Sequence, residues 1–180
     1  MNYALILAAG QGQRMKAKED KLFMYAAGYP VIYYTIAAFN DHPEIEEVYI
    51  AANDLNKSHI EKLVKNFRFK NVKAIVTGGT TRQKSLEKAF AEMEKQSKPK
   101  PEDIVLVHNG ANPLVSLDEI YEVIEGANKT GACIVGHPVK STIKEIDDQT
   151  IVKTHDRKKL FAAETPQAAR FELLKSSLHK

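Results

Sequence analysis

The sequence contains one cysteine, Cys133, and no long run of apolar residues. A disulfide within the chain is therefore excluded, and the apolar neighbours of Cys133 favour a small core residue over a nucleophile. The apolar start, residues 1–10, is too short to span a membrane and has no basic leader. These absences favour a cytoplasmic protein with no membrane partner.

A strong charge of one sign is also missing. The chain has 26 basic and 23 acidic residues among 180, for a net charge of +3. So small an excess does not indicate nucleic-acid binding, which requires basic residues clustered on one face. It does suit a small anionic substrate held by a few lysines and arginines. The length and the 43% hydrophobic content indicate one ordinary globular domain, residues 1–180.

Segments with the periods of strands and helices alternate along most of the chain. Short apolar runs predict buried parallel strands, and stretches with i, i+3, i+4 spacing predict the helices between them. The predicted strands are 3–8, 47–52, 72–77, 104–108 and 131–137, and the predicted helices are 31–40, 59–67, 81–96 and 116–127. Repeated β-α-β units imply an α/β fold: a mostly parallel sheet between two helical layers, Rossmann-like in type. Such sheets bind ligands at the carboxyl ends of their strands.

The pattern changes near residue 140. Residues 140–165 are polar and β-prone and predict a projecting hairpin, with T-I-K-E-I and T-I-V-K-T as strands and D-D-Q as the turn. A final helix is predicted to begin near Gln167 and to be still running at Lys180.

The first candidate binding loop is A-A-G-Q-G-Q-R-M, residues 8–15, directly after the first predicted strand. Its glycines let the backbone approach a polyanion, and its N–H groups can form an anion-binding nest. The loop is not a P-loop, because no G-K-[ST] follows, and Met15 stands where the dinucleotide fingerprint has its third glycine. A tight turn with solvated basic residues is the alternative. The position of the loop, together with Arg14 and Lys21, favours phosphate binding.

A second candidate is G-G-T-T-R-Q-K-S, residues 78–85, which follows the third strand and opens a helix. The helix N-terminus would turn free N–H groups towards the crevice, and Arg82 and Ser85 suit nucleotide contacts. Taken alone, a simple capped helix start explains the block equally well.

Two further blocks are weaker by themselves. H-N-G-A-N-P, residues 108–113, follows the fourth strand, a normal position for a ligand-binding loop. A plain loop before a Ser-capped helix would explain it better if it stood alone. Residues 154–167 contain Arg157 beside Asp156, which could equally be a surface ion pair of little energetic consequence.

The blocks taken together, and in this order, resemble the 2-C-methyl-D-erythritol 4-phosphate cytidylyltransferase family over residues 3–174. The closely related ribitol-5-phosphate cytidylyltransferases share the same framework. The resemblance implies a glycosyltransferase-A-like nucleotidyltransferase that moves CMP from CTP to 2-C-methyl-D-erythritol 4-phosphate, in isoprenoid precursor biosynthesis, and releases pyrophosphate. It also implies Mg²⁺ held mainly through the CTP phosphates, with no metal ligands of its own. It implies a homodimer formed through the arm at 140–165.

The resemblance assigns a role to each matched residue. The implied catalytic residues are Arg14, Lys21 and Arg157. The implied nucleotide-binding residues are Ala8, Ala9, Gly10, Gly12, Gly78, Gly79, Arg82, Ser85, Asn109 and Gly110. The implied substrate-binding residues are Asn112, Thr142, Arg157 and Thr165, with Arg157 coming from the partner subunit.

Several positions depart from the family pattern. Asn109 and Asn112 replace the acid and the base of H-D-A-A-R-P, Ser141 replaces the acid of D-T-I-K, and Asp20 replaces the proline before Lys21. Because these two neutral amides lie on the acceptor side, two alternatives stay open. The chain could be a cytidylyltransferase whose acceptor is another polyol phosphate, such as ribitol 5-phosphate, or a non-catalytic nucleotide-binding relative. Family members carry a further strand, a basic residue and a helix beyond this point. We therefore expect this chain to be a shortened or minimal member.

Overall fold

Strands and helices alternate through the part of the chain that the structure describes. The computed structural model describes residues 1–10 and 20–178. The strands are β1 (Asn2–Ala8), β2 (Tyr25–Ala26), β3 (Tyr29–Pro30), β4 (Glu47–Ala52), β5 (Val72–Thr77), β6 (Ile104–Asn109), β7 (Ala132–Pro138), β8 (Lys144–Asp147), β9 (Thr150–Thr154) and β10 (Phe161–Arg170). The helices are α1 (Val31–Asn40), α2 (Lys57–Phe67), α3 (Arg82–Ser97), α4 (Leu117–Thr130) and α5 (Phe171–Leu178).

Six of the strands form the central sheet, in the order β5-β4-β1-β6-β10-β7. β1, β4, β5 and β6 pair in parallel, and β10 runs antiparallel to both β6 and β7. The chain builds outward from β1 through β4 to β5 and then returns to place β6 on the other side of β1. Such a reversal of strand order marks the crevice where doubly wound sheets bind ligands. Here the reversal lies at the carboxyl ends of β1 and β6.

Helices cover both faces of the sheet, which confirms the predicted three-layer α/β sandwich. α1, α2 and α4 pack on one face through a buried cluster that includes Ile36, Ile60 and Ile124. α3 and α5 pack on the other face through Met93 and Phe171. β1 contributes to both clusters, because successive side chains of a strand point to opposite faces. A sheet buried on both sides requires strands that are nearly continuous apolar runs, the pattern that the sequence shows.

The predicted strands and helices before residue 140 are all present, with ends shifted by at most three residues. The capping box at the start of α4 is confirmed: Glu119 N donates to Ser116 Oγ over 3.1 Å, and Ser116 N donates to Glu119 Oε2 over 2.8 Å. α4 ends at Gly131, whose φ of +91° is the left-handed conformation that favours glycine at a helix C-terminus. The start follows from short-range chemistry and was predicted from the sequence, whereas the end was predicted three residues early, at Ala127.

The predicted final helix from Gln167 is wrong at its start. Residues 161–170 form β10, and the helix begins only at Phe171. β10 is inserted between two strands, with Ala168 opposite Leu106 of β6 and Cys133 of β7. Hydrogen bonding to strands on both sides outweighs the helix-forming tendency of the alanines, which is a weak preference per residue.

The projecting hairpin exists but is shorter than predicted. β8 and β9 form a separate two-stranded sheet joined at Asp148 and Gln149, whose φ values are +39° and +67°. Two successive positive φ angles are those of the tight turn that matches the twist of a hairpin. Residues 161–165 of the predicted arm instead belong to β10, and residues 161–163 pair with β7. We call residues 140–160 the arm from here on.

Candidate active site

The carboxyl ends of β1, β5 and β6 approach one another closely at the point of strand reversal. A Cβ atom at Gly78, after β5, would lie 2.5 Å from Ala9 Cβ, after β1. A Cβ atom at Gly110, after β6, would lie 3.1 Å from Ala8 Cβ and 3.0 Å from Ile32 Cδ1. No side chain fits at Gly78 without displacing its neighbours, and at Gly110 a side chain would require Ala8 or Ile32 to shift. The glycines of the predicted binding blocks therefore allow the strand ends to meet.

The 78–85 block forms a turn and then the first turn of α3. Thr81 Oγ1 caps the helix by accepting from Lys84 N over 3.1 Å. Ser85 is only 3% exposed, and its hydroxyl accepts from Gly79 N over 3.0 Å and donates to Thr81 O over 2.9 Å. Because this hydroxyl is engaged within the block, Ser85 shapes the turn at Gly79. Its direct contact with cytidine stays a prediction.

Arg82, at the first turn of α3, connects the 78–85 block to the 108–113 block. Its Nε donates to Asn109 Oδ1 over 3.3 Å. Asn112 Nδ2 donates to Thr165 Oγ1 over 3.2 Å, and the same hydroxyl lies 3.5 Å from Asn109 N. Four predicted site residues from three different elements thus form one chain of contacts. The cluster carries one formal charge, on Arg82.

His108 holds the loop that carries Asn109 and Asn112. The ring is 1% exposed, and its Nε2 lies 2.9 Å from Asn112 O, so this nitrogen carries the proton. Burial lowers the pKa of His108, an effect that the hydrogen bond to the Asn112 carbonyl only partly offsets. Among residues 1–10 and 20–178, Nδ1 has no hydrogen-bond partner. The histidine is therefore neutral and structural. The sequence analysis included it in the 108–113 block but did not predict this structural role.

Lys21 opens a short 3-10 turn, Lys21–Phe23, that follows Asp20. Asp20 Oδ1 accepts from Leu22 N over 3.1 Å and so caps the turn. Leu22 is buried in the cluster beneath α1, and this anchors the turn to the core. The lysine is therefore held on a fixed piece of backbone near the end of β1.

Two predicted substrate-binding residues lie on the arm. Thr142 is exposed, and Arg157 Nη1 donates to Lys140 O over 2.8 Å at the base of the arm. In the part of the chain that the structure describes, neither residue hydrogen-bonds to the cluster formed by Arg82, Asn109, Asn112 and Thr165. The predicted residues Gly12 and Arg14 lie outside the described residues.

Some residues that support the site were not predicted. Thr35 on α1 is fully buried, and its hydroxyl donates to Gly110 O over 3.0 Å. Asn53, after β4, approaches the first loop, with its Nδ2 3.5 Å from Ala9 O. A threonine or an asparagine inside an ordinary helix or turn carries no signal in one sequence, because its partner is distant along the chain.

Side chains that could hold a metal ion do not cluster in the described residues: no group of three or more His, Cys, Asp or Glu is suitably placed there. Mg²⁺ is commonly bound through substrate phosphates and water with one or two carboxylates. The described residues therefore offer no ligand cluster for a resident ion, and Mg²⁺ carried on the phosphates of a substrate stays a prediction.

In residues 1–10 and 20–178 no helix combines the length and the apolar character needed to cross a membrane.

The fold and the site define a class. A doubly wound sheet, with glycines at its strand ends and a helix N-terminus and basic side chains at the reversal point, defines a Rossmann-like α/β protein whose site suits an anionic ligand.

Comparison with known proteins identifies the family. The family model for 2-C-methyl-D-erythritol 4-phosphate cytidylyltransferase matches residues 3–180. The chain is 41% identical to the Bacillus licheniformis protein of that name, over 97% of this chain and 73% of the relative. It is 36% identical to that of Bacillus velezensis, over 98% and 74%. A crystal structure of 4-diphosphocytidyl-2C-methyl-D-erythritol synthase from Anaerococcus prevotii superimposes with a TM-score of 0.82 at 26% identity, covering 99% of this chain and 74% of that one. The chain belongs to the 2-C-methyl-D-erythritol 4-phosphate cytidylyltransferase family.

Proposed function

We propose that this chain transfers CMP from CTP to 2-C-methyl-D-erythritol 4-phosphate, within the non-mevalonate route to isoprenoid precursors. A phosphate oxygen of the acceptor attacks the α-phosphorus of CTP. The bond from that phosphorus to the bridging oxygen of the β-phosphate breaks, and pyrophosphate leaves with the electron pair. Because phosphates are already ionised at neutral pH, the reaction needs no strong general base. The protein contributes position and positive charge.

The observation that carries this proposal is the meeting of the 78–85 and 108–113 blocks with the end of β1. Gly78 N and Gly79 N are used within the fold, donating to Ala52 O over 2.7 Å and to Ser85 Oγ over 3.0 Å. The phosphate contacts of this block are therefore proposed for the N–H groups that open α3, ahead of the capped Lys84 N. Lys21, with Arg14, is proposed to hold the triphosphate and to stabilise the charge that grows on the leaving group. Mg²⁺, bound through the CTP phosphates, would add further neutralisation of that charge.

The acceptor side is proposed to include Asn112, Thr165, Thr142 and Arg157. Since the last two lie on the arm, we propose that a homodimer brings the arm of one subunit to the strand ends of the other. The apolar side chains Ile146 and Ile151 support this idea, because they are 66% and 60% exposed on the arm. A cytoplasmic location is proposed on the ground that the single cysteine suits a reducing compartment.

The amides Asn109 and Asn112 favour a second candidate, a cytidylyltransferase for another polyol phosphate such as ribitol 5-phosphate. Neutral amides can hydrogen-bond hydroxyl groups, whereas the acid and base of the family pattern are charged. The non-catalytic alternative differs from both, since it predicts nucleotide binding without turnover.

Two measurements test the proposal. Pyrophosphate release is followed with CTP, Mg²⁺ and either 2-C-methyl-D-erythritol 4-phosphate or ribitol 5-phosphate, and we expect the first acceptor to be used faster. CTP should also raise the melting temperature more than ATP, GTP or UTP, because a ligand that binds only the folded state stabilises it. Faster release with ribitol 5-phosphate would select the second candidate. Binding of CTP with no release would select the non-catalytic one.

A further inference from the structure

Asn56 lies between β4 and α2, at the position that precedes a helix, where asparagine normally caps the first turn. Its side chain makes no such cap bond. The residue is nonetheless 2% exposed, so its amide needs other partners.

Those partners are the end of β1 and the start of the Lys21 turn. Asn56 Nδ2 donates to Ala8 O over 3.0 Å and to Asp20 Oδ2 over 3.1 Å. Both hydrogens of the amide nitrogen are therefore used. One side chain joins the last residue of β1 to the residue before Lys21.

The orientation of the Asn56 amide is itself held. Asn56 Oδ1 accepts from Asn53 N over 2.9 Å, and Asn53 Oδ1 accepts from Asn56 N over 2.9 Å. This reciprocal pair leaves the amide nitrogen directed at Ala8 and Asp20.

The link continues to Lys21 through the Asp20 carboxylate. One oxygen of Asp20 accepts from Asn56, and the other accepts from Leu22 N across the turn. A second contact joins the same two elements, since the rings of Phe23 and His59 on α2 are 5.4 Å apart between centroids. The Lys21 turn therefore rests on the start of α2 as well as on the core.

We propose that Asn56 is a positioning residue for the transfer reaction: through Asp20 it fixes Lys21 relative to the end of β1. This inference rests on the proposed function, in which Lys21 meets the triphosphate. Asn56 is buried and is not among the residues proposed to bind either substrate. Its effect on the rate comes from holding a charge in place, where a shift of about 1 Å can lower turnover by about 100-fold.

The first test is a double-mutant cycle on pyrophosphate release. Asn56→Ala should lower kcat by about 10- to 100-fold with a small change in KM. In a Lys21→Ala background the same substitution should lower kcat by less than about threefold, because the residue it positions is already gone. Equal losses in both backgrounds would show that Asn56 acts on stability alone and would overturn the proposal.

The matched control is Asn71→Ala. Asn71 also uses both amide hydrogens on the protein, donating to Asn40 O over 3.0 Å and to Ile45 O over 2.9 Å. It precedes β5 and so lies at the amino ends of the parallel strands, away from the site at their carboxyl ends. Its loss should lower the melting temperature comparably and leave kcat unchanged. A loss of kcat equal to that of Asn56→Ala would also contradict the proposal.

A swap variant tests the donor–acceptor pair directly. Asn56→Asp sets two carboxylates against each other and should reduce turnover as strongly as alanine. Adding Asp20→Asn restores a donor and an acceptor between the two side chains, although not the bond to Ala8 O, so the double variant should recover part of the loss and turn over faster than Asn56→Asp alone. No recovery would count against the link through Asp20.

Hydrogen exchange separates failure of this inference from failure of the proposed function. If the unmutated chain releases no pyrophosphate, the function is wrong, and exchange still reports on Asn56. Amides of residues 20–23 should exchange at least about 10-fold faster in Asn56→Ala than in Asn71→Ala, because the turn loses its tie. Equal exchange in the two variants would overturn the proposal whatever the activity.

Discussion

Replacing Gly78 by alanine should damage both the fold and the nucleotide site. The added Cβ would lie 2.5 Å from Ala9 Cβ and 2.9 Å from Ser85 Oγ, and neither atom is the end of a flexible side chain. Moving Ala9 displaces the backbone that follows β1. Moving the Ser85 hydroxyl strains its bonds to Gly79 N and Thr81 O.

The magnitude follows from these two contacts. Inserting a methyl group into a closely packed site costs about 1–3 kcal/mol, and a hydrogen bond that is lost contributes about 1 kcal/mol of that range. For a chain of 180 residues, each kcal/mol lowers the melting temperature by about 2–4 °C. We therefore expect Gly78→Ala to melt about 2–12 °C below the unmutated protein and to show a smaller stabilisation by CTP.

Thermal denaturation with and without CTP measures both effects. Gly10→Ala is the matched control for stability, because a Cβ atom there meets nothing within 4 Å among the described residues. Ala9→Gly added to Gly78→Ala removes the closest contact and should recover part of the lost melting temperature. The reasoning is refuted if Gly78→Ala and Gly10→Ala have the same melting temperature. It is also refuted if adding Ala9→Gly to Gly78→Ala does not raise the melting temperature.

Three further predictions concern other parts of the molecule. Lys21→Ala should lower kcat by about 10²–10³-fold with little change in melting temperature, whereas Lys18→Ala should be nearly silent; steady-state kinetics would contradict the assignment if the two behaved alike. Sedimentation at about micromolar concentration should show a dimer that Ile146→Lys, on the arm, converts to monomer, and a monomeric unmutated chain would count against the dimer. Because burial lowers the pKa of His108, the unfolded chain binds its proton more readily, and stability should fall as the pH drops below about 6.5. Urea denaturation at several pH values should show a smaller fall for His108→Asn, and an equal fall would exclude His108 as the cause.

Local chemistry in the sequence determined most of the element boundaries. The helix start at Ser116 depends on Glu119 three residues later, and the end at Gly131 depends on a backbone angle that favours glycine. The arm turn at Asp148 and Gln149 is likewise a short-range feature. The predicted blocks at 78–85 and 108–113 sit at strand ends because each directly follows an apolar run.

The tertiary structure decided the features that depend on residues far apart in the chain. Local preference assigned Gln167 to a helix, but the residue lies in β10, where it pairs with strands on both sides. Asn56 was not singled out in the sequence, yet its amide reaches Ala8 and Asp20, which are 48 and 36 residues away. Thr165 lies near Asn109, the partner of Arg82, because β10 lies beside β6. Buried polar groups must find partners wherever the fold places them, and a single sequence does not state which partners those are.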